Sequence, residues 1–179
     1  MDIYRSCSRH FTFEMLFHCG ETWQRIQCPN LPEQNDSWLA YRELATHILD
    51  PLVHMFGPAS LTYGFCGAVL RKTILANPSP GIAPTLDQHA ACELNQRGRL
   101  ICPRQGAAVD LIYPQENSYQ VALWLAQHTP FDRLYLYGAD RPLHISYGPE
   151  QSRMIVQLAT HQGRRIPKRL TLEQLKGLC

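Results

Sequence analysis

The apolar residues between positions 37 and 56 recur at the three- and four-residue spacing of a helix face. They are Leu39, Leu44, Ile48, Leu49, Leu52, Val53 and Phe56. We predict one helix over 37–56, kinked or broken at Pro51, because a proline inside a helix lacks the amide donor. A shorter helix is expected to begin near Glu14, where Thr12 can cap it.

The rest of the chain alternates strand patterns with helical ones. Runs of β-branched and aromatic residues predict strands at 60–65, 106–113, 131–137 and 142–148. Helices are expected at 67–75, 117–129 and 152–162, and loops at 77–84 and 86–104. Helices first, followed by strands with interspersed helices, favour an α+β fold with a small antiparallel β-sheet and flanking helices.

The bulk composition narrows the class of protein. A chain of 179 residues with 45% hydrophobic and 18% charged residues fits one soluble globular domain over 1–179. No apolar run is long enough for a signal peptide or a membrane span. The seven cysteines form no CxxC pair and indicate free thiols in a reducing compartment. We therefore expect a cytoplasmic protein, with phage-type release as the alternative.

Three short segments carry candidate metal ligands. His144 lies in "RPLHISY", His89 in "LDQH" and Asp110 in "GAAVD", each beside a predicted strand. Two imidazoles and one carboxylate suit a catalytic zinc site with one position open for water. Taken singly, each residue is more often a hydrogen-bonded histidine or a turn or cap residue. Tyr63 and Tyr135 are expected to pack within the sheet.

Five segments resemble, in the same order, the zinc D-alanyl-D-alanine carboxypeptidase family, whose metallopeptidases share a fold with the hedgehog signalling domain. They are "HFTFEML", "LATHILDPLVHMFGPASLTYGF", "DQHAA", "GAAVDLI" and "FDRLYLYGADRPLHISY". The likeness covers roughly residues 10–147. It implies a hedgehog/DD-peptidase-like fold, Zn²⁺ held by His89, Asp110 and His144, and hydrolysis of a peptide or amide bond.

Three departures from the family's pattern bear on the reaction. The segment between the first histidine and the aspartate is much longer than in the family, as though residues 88–105 had been inserted. Arg141 stands where many members have a catalytic glutamate, and a guanidinium cannot act as a base. Asp140 is the nearest replacement base, and Glu93 and Asp87 are further candidates. Cys66 stands where the family has a substrate-binding arginine, a cation that Arg141 or the inserted loop could supply.

The positions of the basic residues indicate the charge of the expected substrate. Arg97, Arg99 and Arg104 lie near the candidate site, and residues 163–179 form a basic tail. A small peptide or another anionic substrate is therefore expected. Nucleic acid is not favoured, because no aromatic residues are interleaved with the basic ones. Two alternatives remain: a zinc-binding recognition or regulatory module with altered catalysis, and a cytoplasmic metal-dependent enzyme acting on nucleotides or nucleic acid.

Overall fold

A six-stranded mixed sheet runs through the residues that the computed structural model describes, which are 2–77, 87–161 and 164–179. In chain order the strands are β1 (Ser60–Tyr63), β2 (Ala107–Ile112), β3 (Arg133–Leu136), β4 (Leu143–Tyr147), β5 (Met154–His161) and β6 (Arg164–Leu170). Their order across the sheet is β1-β2-β4-β3-β5-β6. The β3–β5 pair is parallel and the other pairs are antiparallel. The α+β class is confirmed, but the sheet is mixed and not purely antiparallel.

Helices flank this sheet. They are α1 (Phe13–Phe17), α2 (Glu21–Ile26), α3 (Asn35–Leu44), α4 (Asp50–Phe56), α5 (Ala68–Leu75), α6 (Ser118–His128) and α7 (Leu172–Lys176). Thr12 caps α1 as predicted, accepting a hydrogen bond from the Met15 amide. None of the helices in the described ranges is long and apolar enough to cross a membrane. The predicted loop at 77–84 falls almost wholly outside the described residues.

The helix predicted over 37–56 is distorted just before Pro51. A π-helical turn, Ala45–Leu49, joins α3 to α4. The Asp50 amide donates to the Ala45 carbonyl, five residues back along the chain. Pro51 then lies in the first turn of α4, where a helix does not require an amide donor. The helical path therefore continues through the proline without a break.

The two faces of the central strands serve different purposes. Alternate residues belong to the hydrophobic core with the helices: Val109, Leu111, Leu134, Leu136, Leu143 and Ile145. Because side chains alternate along a strand, the residues between them point to the opposite face. On that face Asp110 of β2 is paired with His144 of β4, and His144 with Tyr135 of β3.

The helix predicted over 152–162 is wrong. Met154–His161 form β5, parallel to β3, and Arg164–Leu170 form β6, antiparallel to β5. Ile155 and Leu158 are spaced as on a helix face, but β-branched residues such as Val156 also suit a strand. The segment forms a strand because its pairing with the edge of β3 satisfies the backbone amides and carbonyls of that edge. The described part of the basic tail, 164–179, is thus β6 and α7.

A buried carboxylate fastens the long segment before β2 to α3. Glu93, only 5% exposed, accepts hydrogen bonds from the amides of Glu33 and Gln34, both at 3.1 Å. It also accepts one from the Ser37 hydroxyl at 2.7 Å. An acidic group at a helix start is favourable, because the amides there have no partner within the helix.

A second buried carboxylate holds the residue that precedes His89. Asp132 accepts a hydrogen bond from Gln88 Nε2 at 2.8 Å and from the Ser152 hydroxyl at 2.6 Å. Gly148 packs closely here, since a Cβ atom in its place would lie 2.6 Å from Gln88 Nε2. Burial raises the pKa of Asp132, but the hydrogen bonds from Ser152 and Gln88 outweigh it and the net direction is downward.

Asp132→Asn should lower the free energy of unfolding by about 1–3 kcal/mol at neutral pH, because an amide cannot accept all of these hydrogen bonds. Since the folded pKa is lowered, the carboxylate stabilises above the unfolded pKa of about 4. That contribution is lost as the pH falls through the folded value. Urea unfolding near neutral pH and at about pH 3 would measure both effects.

Asp140→Asn is the matched control, because Asp140 is an exposed turn residue. It should leave the unfolding free energy unchanged at both pH values. Equal losses in the two variants, or a loss in Asp132→Asn that is the same in acid and at neutral pH, would contradict the assigned role.

Candidate metal centre

His89 is held in one orientation by the backbone around it. It lies in a short 3₁₀ helix, Gln88–Ala90, and its own amide donates to Asp87 Oδ1 at 2.9 Å. The imidazole is buried, and its Nδ1 lies 2.8 Å from the Gly64 carbonyl oxygen. A carbonyl only accepts hydrogen bonds, so Nδ1 carries the proton. In the neutral ring, Nε2 therefore presents its lone pair.

Asp110 Oδ1 lies between the two imidazoles. It is 3.2 Å from His89 Nε2 and 3.0 Å from His144 Nδ1. A carboxylate oxygen facing the lone pair of His89 Nε2 is unfavourable unless a positive charge, either a proton or a metal ion, lies between them. In a tetrahedral zinc site with bonds of about 2.0–2.1 Å, neighbouring ligand atoms are roughly 3.3 Å apart. The two distances from Asp110 Oδ1 to the imidazole nitrogens are close to that separation.

The electrostatics of the group also favour a cation. Burial lowers the pKa of His89, but the carboxylates of Asp87 and Asp110 outweigh it and raise that pKa to about 9. Burial raises the pKa of Asp110, but His89 and His144 outweigh it and hold that pKa well below its usual range. Asp110 is therefore ionised, and the site attracts positive charge.

Asp87 adds a second carboxylate to this group. Asp87, His89 and His144 each offer a ligand atom, and these atoms all lie within 4.8 Å of one another. Asp87 is half-buried, whereas both histidines are buried. His144 Nε2 is likewise buried, without a hydrogen-bond partner among the described residues. The four side chains of Asp87, His89, Asp110 and His144 form the candidate metal centre.

Two tyrosine rings pack against the imidazoles. The Tyr63 ring lies 4.4 Å from the His89 ring, and the Tyr135 ring lies 4.8 Å from the His144 ring, between centroids. Tyr63 is paired with Asp110, so Tyr63, Asp110, His144 and Tyr135 form one row across β1, β2, β4 and β3. His89 packs against this row from the 3₁₀ helix. The tyrosines expected to pack within the sheet therefore also form walls of the metal centre.

The structure separates the other candidate residues from this centre or gives them different partners. Asp140 and Arg141 are exposed in the turn after β3. Glu93 uses both carboxylate oxygens at the start of α3. Burial raises the pKa of the Cys66 thiol to about 12, which suits a structural cysteine better than a metal-binding thiolate. Among the carboxylates weighed as a base, only Asp87 belongs to the metal group.

A local sequence signal indicates that the Asp87 carboxylate lies beside His89. An aspartate two residues before a histidine can accept the histidine's amide hydrogen in an Asx turn, which places its carboxylate beside the imidazole. Asp87 and His89 have this spacing and this hydrogen bond. Its proximity to His144, however, depends on the packing of the 3₁₀ helix against the sheet.

Comparison with known proteins assigns this chain to no family. No family model matches it, and no curated protein or solved structure is significantly similar to it. The resemblance to the zinc D-alanyl-D-alanine carboxypeptidases therefore depends on the sequence segments quoted above, and the function has to be argued from the geometry of the metal centre.

Proposed function

We propose that this protein is a zinc-dependent hydrolase of a peptide or amide bond, with a hedgehog/DD-peptidase-like fold. The position of Asp110 Oδ1, 3.2 Å from His89 Nε2 and 3.0 Å from His144 Nδ1, carries the proposal. The matching order of the sequence segments around these residues supports it. The substrate would be a small peptide or another molecule with an anionic group.

The donor atoms favour zinc over other common metals. Imidazole nitrogens combined with one carboxylate are typical zinc ligands, whereas magnesium and calcium prefer oxygen alone. His89, His144 and Asp110 would hold the ion. When bound at such a site, zinc polarises a carbonyl group and brings the pKa of water close to neutrality.

Asp87 would accept the proton of the attacking water. Its Oδ1 accepts a hydrogen bond from the His89 amide, and a carboxylate oxygen lies within 4.8 Å of a ring nitrogen of each histidine. General base catalysis requires the base within hydrogen-bond reach of the proton that it removes. Asp87 satisfies this requirement better than the exposed Asp140, and Glu93 is occupied at α3.

The surrounding residues would orient the ligands and exclude water. The Gly64 carbonyl fixes the His89 tautomer, so that Nε2 points toward Asp110. The rings of Tyr63 and Tyr135 cover the imidazoles from both sides of the row. Excluding water in this way lowers the local dielectric constant and strengthens the interaction of a cation with Asp110.

His144→Ala should abolish stoichiometric zinc binding, because it removes one of three ligands. The wild-type chain should retain about one zinc ion after dialysis against the free metal, and zinc should raise its melting temperature. Affinity in the variant should fall by roughly 100-fold or more. Elemental analysis and competition with a chromophoric chelator measure these quantities.

His54→Ala is the matched control, because His54 is an exposed histidine on α4. It should bind zinc like the wild type. Full zinc retention by His144→Ala would refute the metal assignment.

Asp87→Asn should reduce kcat by roughly 10²–10⁴-fold and leave the zinc content unchanged, because the amide keeps the hydrogen bond from the His89 backbone but cannot take a proton. Turnover would be measured on D-alanine-terminated peptides and other amides with zinc saturated. Asp140→Asn should keep full activity. Loss of zinc in step with activity would make Asp87 a metal ligand, and undiminished turnover would remove it from the reaction.

A further inference from the structure

An open cleft of about 240 Å³ lies over strands β3, β5 and β6. Its lining includes Arg133, Arg153, Met154 and Arg169. Ligand pockets for drug-sized molecules are larger, at about 300–1,000 Å³. This cleft has room for one small chemical group, and its walls are strongly basic.

Two of these arginines converge on one uncharged atom. Arg133 Nη1 lies 3.6 Å from Met154 Sδ, and Arg169 Nε lies 3.1 Å from the same sulfur. A thioether is a weak hydrogen-bond acceptor and carries no charge to balance two guanidinium groups. Arg169 is exposed, so water screens part of the repulsion between the two guanidinium groups, and an anion between them would remove the rest.

Nearby carboxylates neutralise this pair only in part. Asp132 is 4.0 Å from Arg133 Nε, which is too far for a hydrogen bond, and its carboxylate accepts hydrogen bonds from Gln88 and Ser152 instead. Glu150 is 3.6 Å from Arg133 Nη2, and its side chain is 51% exposed. An exposed ion pair of this kind is weak.

The third arginine is committed to the backbone. Arg153 donates to the carbonyls of Ala126 and Thr129 at the end of α6, and its guanidinium covers the Phe131 ring. It therefore forms a fixed basic wall, while Arg133 and Arg169 remain to bind a ligand.

We propose that this cleft binds an oxyanion, the phosphate or carboxylate group of a small ligand, between the guanidinium groups of Arg133 and Arg169. The planar guanidinium presents paired donors that match the oxygens of either group. An anion there would relieve the repulsion between the two arginines. The site requires no metal, so it is independent of the proposed hydrolase activity.

The cleft opens on the same face of the sheet as the metal centre. The register runs from His144 to Tyr135, from Tyr135 to Val156, and from Val156 to Arg169. Three strand spacings of about 4.8 Å separate His144 from Arg169, or roughly 14 Å. The two sites are therefore distinct positions along one surface.

Titration calorimetry on the full chain in EDTA, at constant ionic strength, tests the proposal with inorganic phosphate and with succinate as probes. The wild type should bind at least one probe saturably. Arg169→Ala should weaken that binding by roughly tenfold or more, because it removes a charged donor. Glu150→Gln should strengthen it by roughly two- to fivefold, because it removes a competing carboxylate.

Lys168→Ala is the matched control for net charge. Lys168 is paired with Gln157, so it lies on the opposite face of β6 from Arg169, and binding should be unchanged. The probe that binds more tightly identifies the anion as phosphate or carboxylate. Absence of saturable binding of both probes, equal losses in the Lys168 and Arg169 variants, or weaker binding in Glu150→Gln would overturn the proposal. If Arg169→Ala fails to fold, the change in affinity of Glu150→Gln still tests the proposal.

Discussion

The contact of Asp110 Oδ1 with two imidazole nitrogens is the interaction on which the rest of the site depends. At 3.0 and 3.2 Å, it places a carboxylate oxygen against His144 Nδ1 and against a lone pair of His89. A buried arrangement of this kind is stable only when a positive charge is shared among the three groups. The surrounding structure keeps the three atoms together, and either a proton or a metal ion can supply that charge.

Two different features of the fold bring the three residues into this contact. Asp110 and His144 are cross-strand partners, so the register of β2 and β4 brings them together directly. His89 lies in a 3₁₀ helix outside the strands and needs additional anchors. Gln88 bonds to buried Asp132, and the Gly64 carbonyl orients the imidazole. Buried polar contacts thus position His89, whereas strand pairing positions Asp110 and His144.

The face of the sheet opposite the hydrophobic core carries charge of both signs, which the small net charge of +2 conceals. Carboxylates surround the histidines at one end, and Arg133 and Arg169 converge on Met154 Sδ at the other. The metal centre and the cleft would therefore attract groups of opposite charge.

The sequence by itself determined which residues could bind a metal and most of the elements that carry them. His89, Asp110 and His144 lie in short motifs, and the patterns of β1 to β4 and of α6 are local. The tertiary structure decided the rest. The sequence predicts a helix over 152–162, but the edge of β3 pairs with Met154–Gln157 and the segment becomes a strand. The proximity of Asp87 to His144 and of Arg133 to Arg169 arises from contacts between distant segments, and no local pattern encodes a distance across a sheet.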